Sequence, residues 1–292
     1  MNIKQMINEY LERTKIYKRK GTYDYYKKQS RSLNRAFDYL GYTDTNEFTK
    51  KTLTEMILYF KNHTKKKNSQ INADMTFLST LLNYNDLKPN LSRLEKLPDD
   101  TTNFRPLSDI VLDRLLSYLK TLDYNESNNL SWRLAIYLML DTGVRMNELL
   151  NIKAENVDLV SNSIILETTK NGKKRLVFFN DLSMEAIQLV LAKKNDYLIW
   201  NYVKNERMNR NSIFYFMDKI DENIQTEGFK IHCHRLRKTF ATKLLKMGCP
   251  ITTIQKLLGH TDIKMTMIYL EIDNQMLEKH YTDFYPYKKP LL

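Results

Sequence analysis

Apolar and polar residues alternate with a helical period along most of this chain, and the places where the period stops divide it. Over residues 1–97, apolar or aromatic side chains recur at spacings of three and four: Met6, Tyr10 and Leu11; Leu33, Phe37 and Leu40; Leu53, Met56, Ile57 and Phe60; Met75, Leu78, Leu81 and Leu82. A stripe of this kind gives a helix one face to bury. The pattern predicts four helices, broken near Gly21, Gly41 and His63-Thr64. The period then fails. Two prolines, Pro98 and Pro106, bracket polar turn residues with no apolar repeat, which reads as an interdomain linker over 98–106.

Beyond the linker, Ser108 is placed to cap a helix running to about Leu122, with Asp109 in its first turn. A strongly apolar helix follows from about Leu130 to Asp141 and stops at Gly143. The period next changes to two. Residues 163–168 and 175–179 read as strands, and Asn171-Gly172 between them is a hairpin signal. Helices resume near 183–193, 212–224, 234–247 and 251–258, and an amphipathic stretch begins at about 274, carried by Met276, Leu277, Tyr281 and Phe284. The expected architecture is mainly helical, with a second domain over 107–292 that contains a small antiparallel sheet.

Composition adds a partner class. Lys and Arg outnumber Asp and Glu by 46 to 34, a formal charge of +12, which favours a polyanion such as nucleic acid. A coding bias toward lysine gives the same excess. Two cysteines, Cys233 and Cys249, suit a reduced cytoplasmic protein without disulfides. The first ten residues carry no continuous apolar run of a signal peptide, and no stretch approaches the ~20 apolar residues of a membrane span. Neither a paired C-x-x-C nor a phosphate-binding G-x-x-x-x-G-K-[ST] loop is present. His232-Cys233-His234 lacks a second cluster to complete a zinc site, so no metal is expected.

The candidate chemistry lies in two separated runs. One is Thr142-Gly143-Val144-Arg145-Met146-Asn147-Glu148-Leu149-Leu150. The other runs from His234-Arg235-Leu236-Arg237-Lys238-Thr239-Phe240-Ala241-Thr242 through Leu258-Gly259-His260 to Ile268-Tyr269. A phosphodiester transition state gathers negative charge on its non-bridging oxygens, and arginine meets it with a permanently charged planar fork. Arg145 and Arg237 suit that clamp. His234 and Arg237, three residues apart, share one helix face. A tyrosine nucleophile must lose its proton and the leaving 5′-oxygen must gain one, so an acid and a base are required.

These runs resemble the two conserved boxes of the tyrosine recombinase (phage integrase) family, Xer-like or compact mobile-element integrases among them. The resemblance implies a four-helix, SAM-like core-binding domain over 1–97 and a catalytic α+β domain over 107–292. It implies that Arg145 and Arg237 bind the scissile phosphate, His234 assists proton transfer, His260 hydrogen-bonds the phosphate and Tyr269 attacks, with Glu148 supporting the site. The family's general-acid lysine sits in the hairpin turn, here Lys170 with Lys173 as competitor. Where many members carry His or Arg after the second arginine, this chain has Lys238.

The implied reaction is site-specific recombination of double-stranded DNA through a 3′-phosphotyrosine and a Holliday junction, without a cofactor. The implied assembly is a homotetramer on two sites, with the C-terminal helix docked on a neighbour; accessory DNA-bending or directionality proteins are partners the class admits. A type IB topoisomerase shares the chemistry, and a non-catalytic DNA-binding regulator would share the fold. For DNA contact, Lys27, Lys28, Arg31 and Arg35 line the second helix, Lys67 ends a lysine run, Asn68 and Gln70 open the fourth helix, and Lys173 lies in the turn. Each could equally be an ordinary solvated surface residue.

Overall fold

The structure, a computed structural model, describes residues 1–87, 96–98, 105–167 and 174–267. The chain divides into two compact units, Met1–Asn103 and Phe104–Leu292, the boundary falling inside the proline-bracketed stretch.

Among the described residues the first unit contains four α-helices: α1 (Ile3–Tyr17), α2 (Lys20–Leu40), α3 (Lys50–His63) and α4 (Asn68–Tyr84). Their periodic apolar residues become its core, with Met6, Leu33, Phe37, Met56, Phe60, Leu78 and Leu81 all nearly inaccessible. Local caps fix the helix ends: the Asn2 side chain accepts from the Gln5 N–H, Thr49 accepts from Thr52, and Gly41 closes α2 at φ 78°. The break expected near Gly21 falls at Lys18-Arg19, where both residues are extended, and Gly21 is the second residue of α2. A glycine there costs a helix only about 1 kcal/mol, which packing of the other twenty residues overrides.

Two polar clasps were not legible in the pattern. Asp74 is fully buried on α4, accepts from Ser32 Oγ at 2.7 Å and pairs with Lys66. Asn72 holds Leu97 in both directions, accepting its N–H at 2.9 Å and donating to its carbonyl at 3.0 Å, while Asn68 Nδ2 donates to the Pro98 carbonyl at 3.0 Å. The start of the expected linker is therefore fastened to α4.

The second unit builds on α5 (Asp109–Thr121) and α6 (Asn129–Thr142). Ser108 Oγ caps α5 through the Val111 N–H. Nearly every residue of α6 is buried, because α8 (Asp181–Ala192), α9 (Arg210–Asn223) and α10 (Cys233–Lys246) pack around it. After α6 come the one-turn α7 (Met146–Leu149) and a three-stranded antiparallel sheet of β1 (Val157–Asp158), β2 (Ser163–Leu166) and β3 (Arg175–Phe178), in the order β1-β2-β3. Ile164, Leu166 and Val177 point into the core while Ile165, Leu176 and Phe178 point out, the period of two expected of strands.

The β2–β3 register puts Leu166 opposite Arg175. An uninterrupted ladder to a two-residue Asn171-Gly172 turn would put Leu166 opposite Val177, so the pairing is offset by two residues. The turn itself lies outside the described residues. A two-stranded ribbon, β4 (Trp200–Asn201) with β5 (Glu206–Arg207), precedes α9. Helices α11 (Ile251–Leu258) and α12 (Lys264–Met267) follow α10, and α11 packs Ile254 and Leu258 on Ala241 and Leu245. The expected helix from about 274 lies outside the described residues. No described helix is long and apolar enough to cross a membrane.

Candidate active site

Two left-handed glycines shape the site. Gly143 ends α6 at φ 62°, and a Cβ there would stand 2.4 Å from Phe240 Cδ1 and 3.0 Å from Leu258 Cδ2. Gly259 ends α11 at φ 65°, and a Cβ there would stand 2.9 Å from Arg175 Cδ. Only glycine allows both the positive φ and the approach. Helix ends from opposite parts of the unit thereby converge, and their last carbonyls, which have no partner within a helix, point at arginines.

Arg237 lies in the first half of α10 and is 3% exposed. Its Nη1 donates to the Gly143 carbonyl and its Nη2 to the Leu258 carbonyl at 2.6 Å, while Nη2 also lies 3.0 Å from His260 Nε2. A guanidinium can only donate, so Nε2 accepts and the ring's proton belongs on Nδ1. Nδ1 lies 2.8 Å from Thr266 Oγ1, which accepts it. Burial and the charges of Arg237, Arg145 and Arg175 push the His260 pKa down to about 4, so the ring is neutral at pH 7.

Arg145 precedes α7 in an extended conformation. Glu148, 2% exposed at its side chain, holds it from two sides, accepting from the Arg145 N–H at 2.9 Å and from Nη1 at 3.0 Å. Arg145 Nη2 reaches the Gly259 carbonyl at 3.4 Å. A third guanidinium completes the cluster: Arg175 Nη2 meets Glu148 Oε2 at 2.6 Å, and Nη1 donates to the Leu257 carbonyl. Burial alone would raise the Glu148 pKa, but Arg175, the Arg145 N–H and the Arg145 charge outweigh it and hold the carboxyl below its ordinary range.

Three guanidiniums gather here around one carboxylate, Glu148, which pairs with Arg145 and Arg175. Carrying such ions out of water costs several kcal/mol each unless hydrogen bonds replace the hydration, and here main-chain carbonyls do so. Arg145 remains 21% exposed at its side chain, so the cluster is reachable from solvent. Its complement is a doubly or singly charged oxyanion.

His234 stands on the same helix as Arg237, exposed at the surface of α10, and burial of part of the ring together with the Arg237 and Arg145 charges lowers its pKa. It is thus a neutral base at pH 7. Lys238, the departure from the family pattern, is buried. Cys233 packs against Met217 Sδ at 3.8 Å, and burial pushes its thiol up to about 11. Among the described residues no three His, Cys, Asp or Glu side chains gather as for a metal. Lys170, Lys173 and Tyr269 lie outside the described residues.

The structure thus brings together Arg145, Glu148, Arg237 and His260, with His234 one turn from Arg237. The sequence reading missed Arg175 and Thr266. Arg175 closes a basic run, Lys173-Lys174-Arg175, in which only strand register shows which side chain turns inward.

In the first unit, Lys28, Arg31 and Arg35 line a hollow of about 240 Å³ with Ser32, Tyr59 and Thr64. Lys27 is not among its lining residues; its ammonium lies 5.6 Å from the Tyr23 ring. All four basic side chains are exposed. Lys67 is exposed at the start of α4, where Gln70 Oε1 accepts the Lys67 N–H at 3.1 Å, and Asn68 is engaged with Pro98. Gln70 and Asn68 therefore each have a structural partner already.

Known proteins resemble this chain in sequence and in fold. A model of the phage integrase family matches residues 107–276. A probable integrase/recombinase of Acholeplasma phage L2 is 28% identical over 286 residues, covering 97% of this chain and 98% of that protein. The tyrosine recombinase XerC of Staphylococcus aureus is 33% identical over 185 residues, 61% of each chain. Among solved structures, the Tn1549 transposon integrase in complex with transposon right end DNA superposes with a TM-score of 0.80 at 19% identity, covering 98% of this chain and 100% of that one. The fold, mainly helical with small antiparallel sheets, is shared.

Proposed function

The chain belongs to the phage integrase family and is a tyrosine recombinase, an enzyme of DNA strand breakage and rejoining, and we propose that Arg145, Arg237, His234, His260 and Tyr269 carry its chemistry. The observation supporting this assignment is the cluster of three guanidiniums gathered around the Glu148 carboxylate and anchored on main-chain carbonyls. Donors fixed before the reaction are worth about 3–4 kcal/mol each where negative charge develops.

The scissile phosphate binds Arg145 and Arg237. The Tyr269 oxygen forms a bond to phosphorus as the bond from phosphorus to the 5′-oxygen breaks. The phenolic proton passes toward His234, which is neutral at pH 7 and able to accept it. The 5′-oxygen takes a proton from Lys170, or from its neighbour Lys173. Thr266 supports the assignment of the nucleophile: it is bonded to His260, and three residues of chain to Tyr269 reach at most about 11 Å. Bond energy stays in the phosphotyrosine, so attack by a 5′-hydroxyl of the partner duplex rejoins the strand without ATP. Glu148 holds Arg145.

The reaction proceeds on double-stranded DNA in the cytoplasm, within a tetramer on two sites and through a Holliday junction, for integration and excision or for dimer resolution. Residues 1–97 act as the core-binding domain, with Lys28, Arg31 and Arg35 on phosphates. A nicked suicide duplex tests the reading. Wild-type protein should become covalently trapped on the 3′-phosphate, and Tyr269→Phe should not. Binding without an adduct would instead mean a regulator, and relaxation of a plasmid lacking any recombination site would mean a topoisomerase.

A further inference from the structure

Arg175 belongs to none of the motifs that announce the site, yet it touches three parts of it. It starts β3, opposite Leu166. Its Nη2 meets Glu148 Oε2, the same oxygen that accepts the Arg145 N–H. Its Nη1 holds the Leu257 carbonyl at the end of α11, and its Cδ and Nε lie against Gly259. The next carbonyls of that turn, Leu258 and Gly259, are those accepting from Arg237 and Arg145. One side chain thus ties the sheet, the carboxylate behind Arg145 and the turn that presents His260.

The Arg175 side chain is 12% exposed, with both terminal nitrogens engaged by protein. Lysine is not equivalent, because its ammonium is one point charge, whereas the Arg175 fork meets the carbonyl through Nη1 and the carboxylate through Nη2.

We infer that Arg175 is a positioning residue of the recombinase, fixing the Arg145–Glu148 pair and the Leu257–His260 turn in the geometry that clamps the scissile phosphate. The inference rests on the proposed reaction. Without Arg175, Glu148 keeps only Arg145 and pulls it away from the phosphate, while the carbonyls that aim both clamp arginines lose their anchor. An ångström of misplacement in such a site costs up to about a hundredfold in rate.

The test uses the full chain on the nicked suicide duplex under single turnover, with saturating protein. Arg175→Lys should cleave at least about tenfold more slowly than wild type, since misplacement acts on the chemical step. Its duplex affinity should stay within about threefold, because the charge is retained. The amplitude, which counts correctly folded molecules, should remain that of wild type. A purely structural role would lower amplitude and leave the rate constant unchanged, and that result overturns the inference. Arg175→Met should be slower still, and Glu148→Gln/Arg175→Met should recover part of that loss, because no unpartnered carboxylate then competes for Arg145. Additive losses in the double variant would also overturn it. The two readings fail separately: a wild-type chain that traps no adduct sinks the recombinase chemistry, whereas wild-type trapping matched in rate by Arg175→Lys sinks only the role of Arg175.

Discussion

Arg237 and Arg35 place the same side chain in opposite surroundings. Arg237 is 3% exposed, with two carbonyls and a histidine around its fork; Arg35 is exposed along a hollow with Lys28 and Arg31. A buried, fixed guanidinium has lost its hydration before substrate arrives, so it can act strongly on charge that develops only in a transition state. A solvated one contributes by releasing counterions from the DNA backbone, a term that salt weakens. Under the proposed function, chemistry and affinity are divided between two regions of one basic chain.

A large effect should come from disturbing the fixed region without touching a charge. Gly143→Ala forces a Cβ to 2.4 Å from Phe240 at φ 62°, and overpacking of that kind costs about 1–3 kcal/mol. Because the Gly143 carbonyl anchors Arg237, cleavage should fall about tenfold or more beyond the stability loss. Single-turnover rates on protein shown folded by thermal melting check this; an unchanged rate would mean the carbonyl does not aim the arginine.

The solvated region should respond the other way. Lys28→Ala/Arg31→Ala/Arg35→Ala should weaken duplex binding about tenfold or more and flatten the dependence of log affinity on log salt by about three. The cleavage rate at saturating protein should stay near wild type. Binding titrations between 50 and 200 mM salt, about the range over which such contacts weaken markedly, measure both. A collapsed rate with unchanged salt slope would reverse the division of labour.

A smaller effect should appear with pH. The folded state holds His260 at about 4, below the ~6.5 of an unfolded histidine. The unfolded chain therefore binds more protons between those values, and stability present above pH 6.5 is lost as pH falls toward 4. His260→Gln should melt closer to wild type at pH 4.5 than at pH 7. A constant difference across that window would show that the ring's neutrality is not built into the fold.

The sequence made much of this legible for identifiable reasons. Gly143 and Gly259 ended helices where the apolar period stopped, and the spacings of Arg145, Glu148, His234, Arg237 and His260 within two runs carried the family pattern. What escaped was short or nonlocal. Helix α7 is a single turn, too brief to display a period. Within the lysine run that ends at Lys67, nothing local shows that Lys66 pairs with buried Asp74. Asn68 is a candidate for DNA contact by its place at the start of a helix, yet its amide donates to the Pro98 carbonyl. Arg175 was one cation in a basic turn, and only pairing with β2 turns it toward Glu148.

The most direct measurement concerns Arg237→Lys, which keeps the charge and removes the fork. If a guanidinium fixed on carbonyls is what stabilises the transferring phosphate, single-turnover cleavage should fall by about 10²–10³ while duplex affinity and its salt slope hold. A lysine variant that cleaves at the wild-type rate would contradict that claim, since positive charge alone would then suffice.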